Sequence, residues 1–191
     1  MASNYTGLGV QLMTTGEKAG LWGGYTNTNW EIMEQTAGGY LSQALNTTGA
    51  TTLAVADGTS GDTNQVAHRV IEFTAALAGN VTVTIPLDVQ TFYIIKNSTT
   101  NAYSVEFKYV SGSGSSVTWA SGDRGYKIVY AAADDGTNPN IVDTGFMAEL
   151  SQDTSPQLGG NLDVNGNTIT SVSDGNIALA PNGTGEVVVG S

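Results

Sequence analysis

Val81-Thr82-Val83-Thr84-Ile85 and, further on, Tyr103-Ser104-Val105-Glu106-Phe107-Lys108-Tyr109 decide the fold class. In both stretches apolar side chains alternate with polar ones. That is the period of two by which a strand puts one face on a core and the other toward water. Working outward, Val66–Leu77, Thr91–Lys96 and Tyr126–Ala133 read as longer strands and Thr51–Ala56 as a shorter one. Turn formers separate them at Asp57-Gly58, Ala78-Gly79-Asn80, Lys96-Asn97-Ser98, Ser111-Gly112-Ser113-Gly114 and Asp134-Asp135-Gly136. Short strands at close spacing predict a mainly β protein, with an antiparallel β-sandwich-like domain over residues 47–148.

Residues 1–46 hold the one helical pattern. Thr28 and Glu31 have the capping-box spacing, and Trp30, Met33, Ala37, Leu41 and Ala44 recur at steps of three or four. They predict a helix over Asn29–Leu45, weakened by Gly38 and Gly39 at ~1 kcal/mol each relative to Ala. An apolar stripe has to bury somewhere. It either packs on the chain's own β domain or forms an attachment interface through Trp22, Trp30, Met33, Ala37 and Leu41, tryptophan being a frequent interface anchor. Trp22, among Gly20, Gly23 and Gly24, reads first as a core plug on a glycine-permitted turn.

Residues 149–191 change character. Ser151–Pro156 reads as a linker, followed by very short strands turned at Asn165-Gly166, Asp174-Gly175 and Pro181-Asn182-Gly183. Their apolar set is Leu162, Val164, Ile169, Val172, Ile177, Leu179, Val187 and Val189. So few apolar side chains cannot offset the entropy of ordering the segment within one chain. The expectation is a C-terminal β shaft segment that folds as a homotrimer, with these residues as the trimer interface.

Composition excludes several functions. Charged residues are 12% of the 191 residues, about half of the roughly 25% globular norm, and the net charge is −11. The six basic residues (Lys18, Arg69, Lys96, Lys108, Arg124, Lys127) are scattered, which argues against nucleic acid and anionic membrane surfaces. No apolar run approaches a membrane span, and Met1–Met13 lacks the basic start and apolar run of a signal peptide. Cys is absent, removing disulfides, thiolate catalysis and Cys-based metal sites. The single histidine, His68, reads as a half-exposed strand residue without a nucleophile beside it. Asp57, Asp62, Asp134, Asp135 and Asp143 do not follow the calcium-loop pattern. Glu72 and Glu106 are the only strand carboxylates that invite a glycosidase pairing, and nothing in the sequence pairs them. No cofactor, metal or active site is expected, and the chain does not read as an enzyme.

Two segments carry a resemblance. Leu12-Met13-Thr14-Thr15-Gly16-Glu17-Lys18, then Leu21-Trp22-Gly23 and Thr26-Asn27-Thr28-Asn29-Trp30-Glu31, resembles the start of tail fibre proteins of tailed bacteriophages. Leu150-Ser151-Gln152-Asp153-Thr154-Ser155-Pro156-Gln157-Leu158-Gly159-Gly160-Asn161-Leu162-Asp163-Val164-Asn165-Gly166 is similar to a segment of virion fibre proteins of marine phages, cyanophages included, as are Asp174-Gly175-Asn176-Ile177 and Pro181-Asn182-Gly183-Thr184-Gly185. The resemblance implies a virion structural protein, a homotrimeric tail fibre docked through its N-terminal region to a tail adaptor, nozzle or baseplate protein. It further implies a role in host attachment, at a surface glycan or protein. Such chains often continue into a shaft and tip, and no recognisable tip follows here: the chain is either a short fibre or part of a longer one. Two other functions compete with this one. The first is a carbohydrate-binding module of a phage adhesin, using loops near Trp119 and Tyr126. The second is a depolymerase acting through two carboxylates, for which the chain is short.

Overall fold

The computed structural model describes residues 4–145 and, beyond them, residues 162, 164–171, 175–181 and 183–188. The chain separates into two units, Met1–Thr154 and Ser155–Ser191.

The first unit is mainly β with one helix. After a short hairpin, β1 (Asn4–Tyr5) and β2 (Gln11–Leu12), and helix α1 (Trp22–Gly38), nine strands follow: β3 (Tyr40–Ala44), β4 (Gly49–Thr52), β5 (Val70–Thr74), β6 (Val81–Ile85), β7 (Thr91–Asn97), β8 (Val105–Tyr109), β9 (Val117–Trp119), β10 (Gly125–Ala131) and β11 (Ile141–Asp143). They form a larger sheet of five strands ordered β11-β10-β7-β5-β3 and a smaller one of four ordered β4-β6-β8-β9.

The alternating stretches are strands as expected, but the antiparallel order predicted for them is corrected. β3, β5 and β7 pair in parallel in one sheet, and β4, β6 and β8 in parallel in the other. From β3 to β8 each turn carries the chain across to the opposite sheet instead of back along the same one, so the chain winds as a coil of three turns. The last winding step is regular: Val70 pairs with Ile94 and Val81 with Val105, both 24 positions on. The preceding step, Tyr40 to Val70 and Gly49 to Val81, is longer because residues 53–69 carry a loop and a single 3-10 turn, Gln65–Ala67. Within these two sheets only the closing strands run antiparallel: β9 on β8, β10 on β7 and β11 on β10.

One apolar core draws on both sheets. Ile71, Phe73, Tyr93, Ile95 and Val129 from the larger cluster with Val83, Ile85, Val105, Phe107 and Trp119 from the smaller. Aromatic edges lock the two: Phe73 meets Trp119 with ring centroids 6.0 Å apart, and Tyr93 meets Phe107 at 5.8 Å. The Tyr93 hydroxyl is buried and donates to the Val66 carbonyl at 2.8 Å, and burial raises its pKa far above the usual phenol value.

The helix also departs from its expected place. It begins at Trp22 and stops at Gly38, so Tyr40, Leu41 and Ala44 are strand residues and the glycine pair ends the helix instead of interrupting it. A Cβ on Gly39 would lie 2.8 Å from the Gln35 backbone, so only glycine lets the chain turn there from helix into β3. The Gly39 N–H donates to the Gln35 carbonyl at 2.7 Å and its own carbonyl accepts from Val70 N–H at 2.9 Å, joining helix end to β5. The expected cap at Thr28 does not form, since Thr28 lies mid-helix and donates to the Gly24 carbonyl at 3.2 Å.

In the second unit the described residues form turns and irregular chain, with no strand pairing among them. Asn165 and Gly166 both have positive φ, 46° and 78°, and Asn167 N–H closes the turn on the Val164 carbonyl at 2.9 Å. That is the mirror-image turn which asparagine–glycine pairs favour.

Candidate functional site

The β1–β2 hairpin and residues 57–64 make a polar platform, and α1 rests on it through side-chain amides. Asn29 accepts from Gln11 N–H and donates to the Gln11 carbonyl, both at 2.9 Å. Gln35 accepts from Gly61 N–H at 3.0 Å and donates to the Gly61 carbonyl at 3.1 Å. Each amide thus imitates one rung of a strand ladder. Glu31 accepts from Ser60 Oγ at 2.5 Å. The platform is itself tied down: Asn64 Nδ2 donates to the Leu8 carbonyl at 2.8 Å and Gly58 N–H to the Gly9 carbonyl at 2.8 Å.

Ile32 is the one fully buried side chain of the helix. The stripe that the spacing pointed to faces the other way. Trp22 is 62% exposed, Trp30 68% and Met33 50%, and Ala37 is exposed as well. Leu41, the fifth residue of that set, is buried in β3 and does not belong to the stripe. The packing role first read for Trp22 is therefore corrected: it opens the helix and faces solvent. Leu12, Met13 and Leu21 are exposed too. Met13, Thr26, Asn29, Trp30 and Met33 line an open groove of about 340 Å³. The helix is held by the face that carries Asn29, Ile32 and Gln35, and it leaves a second, apolar stripe bare. Asn29 and Gln35, which fix that orientation, escape any periodicity argument because an amide's partner lies far away in sequence.

The other singled-out residues fall as follows. His68 is buried and follows the 3-10 turn instead of lying in a strand. Gln35 Nε2 donates to its Nε2 at 2.9 Å, which leaves Nδ1 as the donor toward the Gln65 carbonyl at 3.3 Å. Both ring nitrogens are engaged in structure. Trp119 is 1% exposed against Phe73, so it is unavailable for stacking on a sugar, whereas Tyr126 is exposed on β10. Glu72 and Glu106 lie in different sheets. Glu72 accepts from Ser98 Oγ at 2.5 Å, from the Tyr40 hydroxyl at 2.5 Å and from Lys96 Nζ at 3.0 Å. Those donors, Ser98 first, lower its pKa to about 2, the wrong direction for a general acid. Asp134 and Asp135 cap their own loop, on Asn140 and on the N–H groups of Thr137 and Asn138. Among the described residues no group of three or more His, Asp or Glu is placed to hold a metal ion, and no helix is long and apolar enough to cross a membrane.

Of the expected trimer-interface set, Leu162, Ile169, Ile177, Leu179 and Val187 are exposed and Val164 is half-buried. Val172 and Val189 lie outside the described residues. No family model, no curated protein and no solved structure matches the chain.

Proposed function

We propose that this chain is a structural component of a tailed-phage virion, a tail fibre or fibre-like protein that docks to the tail through its N-terminal region and serves host attachment. The observation that carries the reading is the apolar stripe of Trp22, Trp30 and Met33, left bare on a helix held down by the face that carries Asn29, Ile32 and Gln35. Exposed apolar patches rimmed by polar groups mark interaction sites, and tryptophan dominates such interfaces. Its two tryptophans, Trp22 and Trp30, also fall inside the stretch Leu12–Glu31 that resembles phage fibre starts. The docking partner is a tail adaptor, nozzle or baseplate protein with an apolar recess. The second unit continues the fibre as a homotrimer, in which Leu162, Ile169, Ile177 and Leu179 find the cover they lack in one chain. The glycan-binding alternative loses one of its two aromatics to the core, since Trp119 is buried.

Removing residues 1–46 would also remove β3 and its buried Leu41, so point substitutions are the cleaner test. Trp30→Ser combined with Met33→Ser should leave the circular dichroism and melting of the chain unchanged while the protein disappears from purified particles. Particles that carry the double variant at wild-type level refute the docking role.

A further inference from the structure

We propose that the outer face of the larger sheet is covered by a second copy of this chain. The strand register builds that face row by row. Tyr40 pairs with Val70, Val70 with Ile94 and Ile94 with Ile128, an unbroken apolar row across four strands. Beside it, Val142 pairs with Tyr130 and Tyr130 with Phe92. Tyr40, Phe92, Tyr126, Tyr130 and Val142 are exposed, and Val70, Ile94 and Ile128 half-buried. The outer face of the smaller sheet is the internal control. There Ala50, Thr82, Glu106 and Thr118 make one row, and Thr52, Thr84 and Lys108 the next, as a water-facing surface should read. The same fold thus has one outer face of polar rows and one on which two apolar rows flank the row Ser42, Glu72, Lys96 and Tyr126.

Area fits a protein partner. Four half-exposed aromatics of roughly 200 Å² each leave about 400 Å² bare, and the aliphatic residues bring this to about 500 Å². A stable interface takes about 800 Å² from each partner, a little over half of it apolar. Hydrogen bonding disfavours a sugar. Glu72 is occupied by Ser98, Tyr40 and Lys96; Arg69 donates to Thr91 Oγ1 and the Phe92 carbonyl while its guanidinium lies 3.8 Å from the Phe92 ring centroid; Gln90 donates to the Tyr130 hydroxyl. These groups serve one another, and a glycan site needs them turned toward the ligand.

Charge selects a copy of this chain. On the outer face Lys96 lies over the Tyr126 ring and Arg69 over the Phe92 ring, against Glu72, while Lys127 and Asp143 belong to the other side of the sheet, Lys127 over Trp119 and Asp143 opposite Val129. That leaves four of the six basic and 16 of the 17 acidic residues for the rest of the molecule. The face carries a slight positive excess on a strongly acidic protein, so its complement is the acidic remainder of a neighbouring copy. A contact between two different surfaces repeats from copy to copy and forms a ring where the rotation per copy closes, and a ring is what the fibre reading, on which this step rests, calls for.

The test uses the full chain. Sedimentation across sub-micromolar to tens of micromolar concentrations should give a concentration-dependent oligomer. Hydroxyl-radical labelling should then fall several-fold at Phe92, Tyr126 and Tyr130 in the oligomer relative to the dilute monomer. Phe92→Glu with Tyr126→Glu, both at exposed positions, should keep the fold and weaken association about a hundredfold or more, whereas Thr118→Glu on the other sheet should not. A chain that stays monomeric overturns the proposal. So does an oligomer whose Phe92, Tyr126 and Tyr130 label as fast as in the monomer. Protection already complete in the dilute monomer assigns the cover to the chain's own tail, and protection that appears only with added polysaccharide assigns it to a glycan; either outcome also overturns it.

Discussion

Trp30 and Ile32 are two residues apart on one helix, and the structure gives them opposite consequences. Ile32 is fully buried and Trp30 is 68% exposed. Truncating a buried isoleucine to alanine costs about 2–5 kcal/mol. Ile32 sits under α1, apart from the central cluster, so its neighbours can settle and the loss belongs at the low end, about 2–3 kcal/mol. For a chain of this size each kcal/mol moves the midpoint by roughly 2–4 °C, so Ile32→Ala should lower Tm by about 4–12 °C. Trp30→Ser exchanges residues of similar helix propensity at an exposed site and should stay within about 0.5 kcal/mol.

Thermal melting of the two variants beside the wild type, followed by recovery in purified particles, separates the effects. Ile32→Ala should melt early and reach particles in proportion to the folded fraction. Trp30→Ser should melt normally and be depleted from particles. A Trp30→Ser chain that loses more than about 1 kcal/mol while Ile32→Ala is neutral would show that the helix docks by its tryptophan face. The attachment reading would fall with it.

Glu72 should add an acid-sensitive component. Its pKa falls from about 4.5 to about 2 on folding, so its contribution is complete above the unfolded value and is lost as pH drops from about 4.5 toward 2. Urea midpoints of Glu72→Gln should therefore change less across that window than those of the wild type. Gly39→Ala meets the Gln35 backbone at 2.8 Å and should cost more than ~1 kcal/mol, whereas Gly38→Ala meets nothing within 4 Å and should stabilise by ~0.5–1 kcal/mol, both read by denaturant melts. Trp119 Nε1 is buried without an acceptor. Trp119→Phe loses area but also that unpaired donor, and should cost far less than the ~3–5 kcal/mol of Trp119→Ala.

The strands were legible because Val81–Ile85 and Val105–Tyr109 alternate over their whole length. Their direction was not. A period of two reports that one face is buried and is blind to whether the neighbour runs parallel or antiparallel. The turn clusters looked like hairpin loops, but most of them carry the chain between sheets. Helix α1 shows a different limit. Its apolar spacing is real, yet periodicity identifies a face without saying what the face meets, and Asn29 and Gln35 decide the docking through partners 18 and 26 positions away. The outer face of β10 was readable in principle. Tyr126, Ile128 and Tyr130 alternate with Lys127, Val129 and Ala131, so the strand is apolar on both sides, the pattern of a strand covered on both faces.

The parallel coil bears on how such a chain assembles. Its starting turn leaves β3 and β4 as the outer strands of their sheets. Open strand edges invite pairing with another chain unless they are blunted. β4 is short and glycine-led, and Asn46 folds back over it, its N–H donating to Thr51 Oγ1 at 2.9 Å and its Nδ2 to the Ala50 carbonyl. On β3, Gln43 Nε2 donates to the Ala44 carbonyl at 2.7 Å, occupying an edge acceptor. Side-chain amides therefore blunt the two edges at the β3–β4 end of the coil. The apolar surfaces left bare, on α1 and on the outer face of the larger sheet, are flanks of the coil. Association through flanks, as proposed above, would build a bundle of fixed cross-section where it closes into a ring, whereas association through edges would extend the sheets without limit.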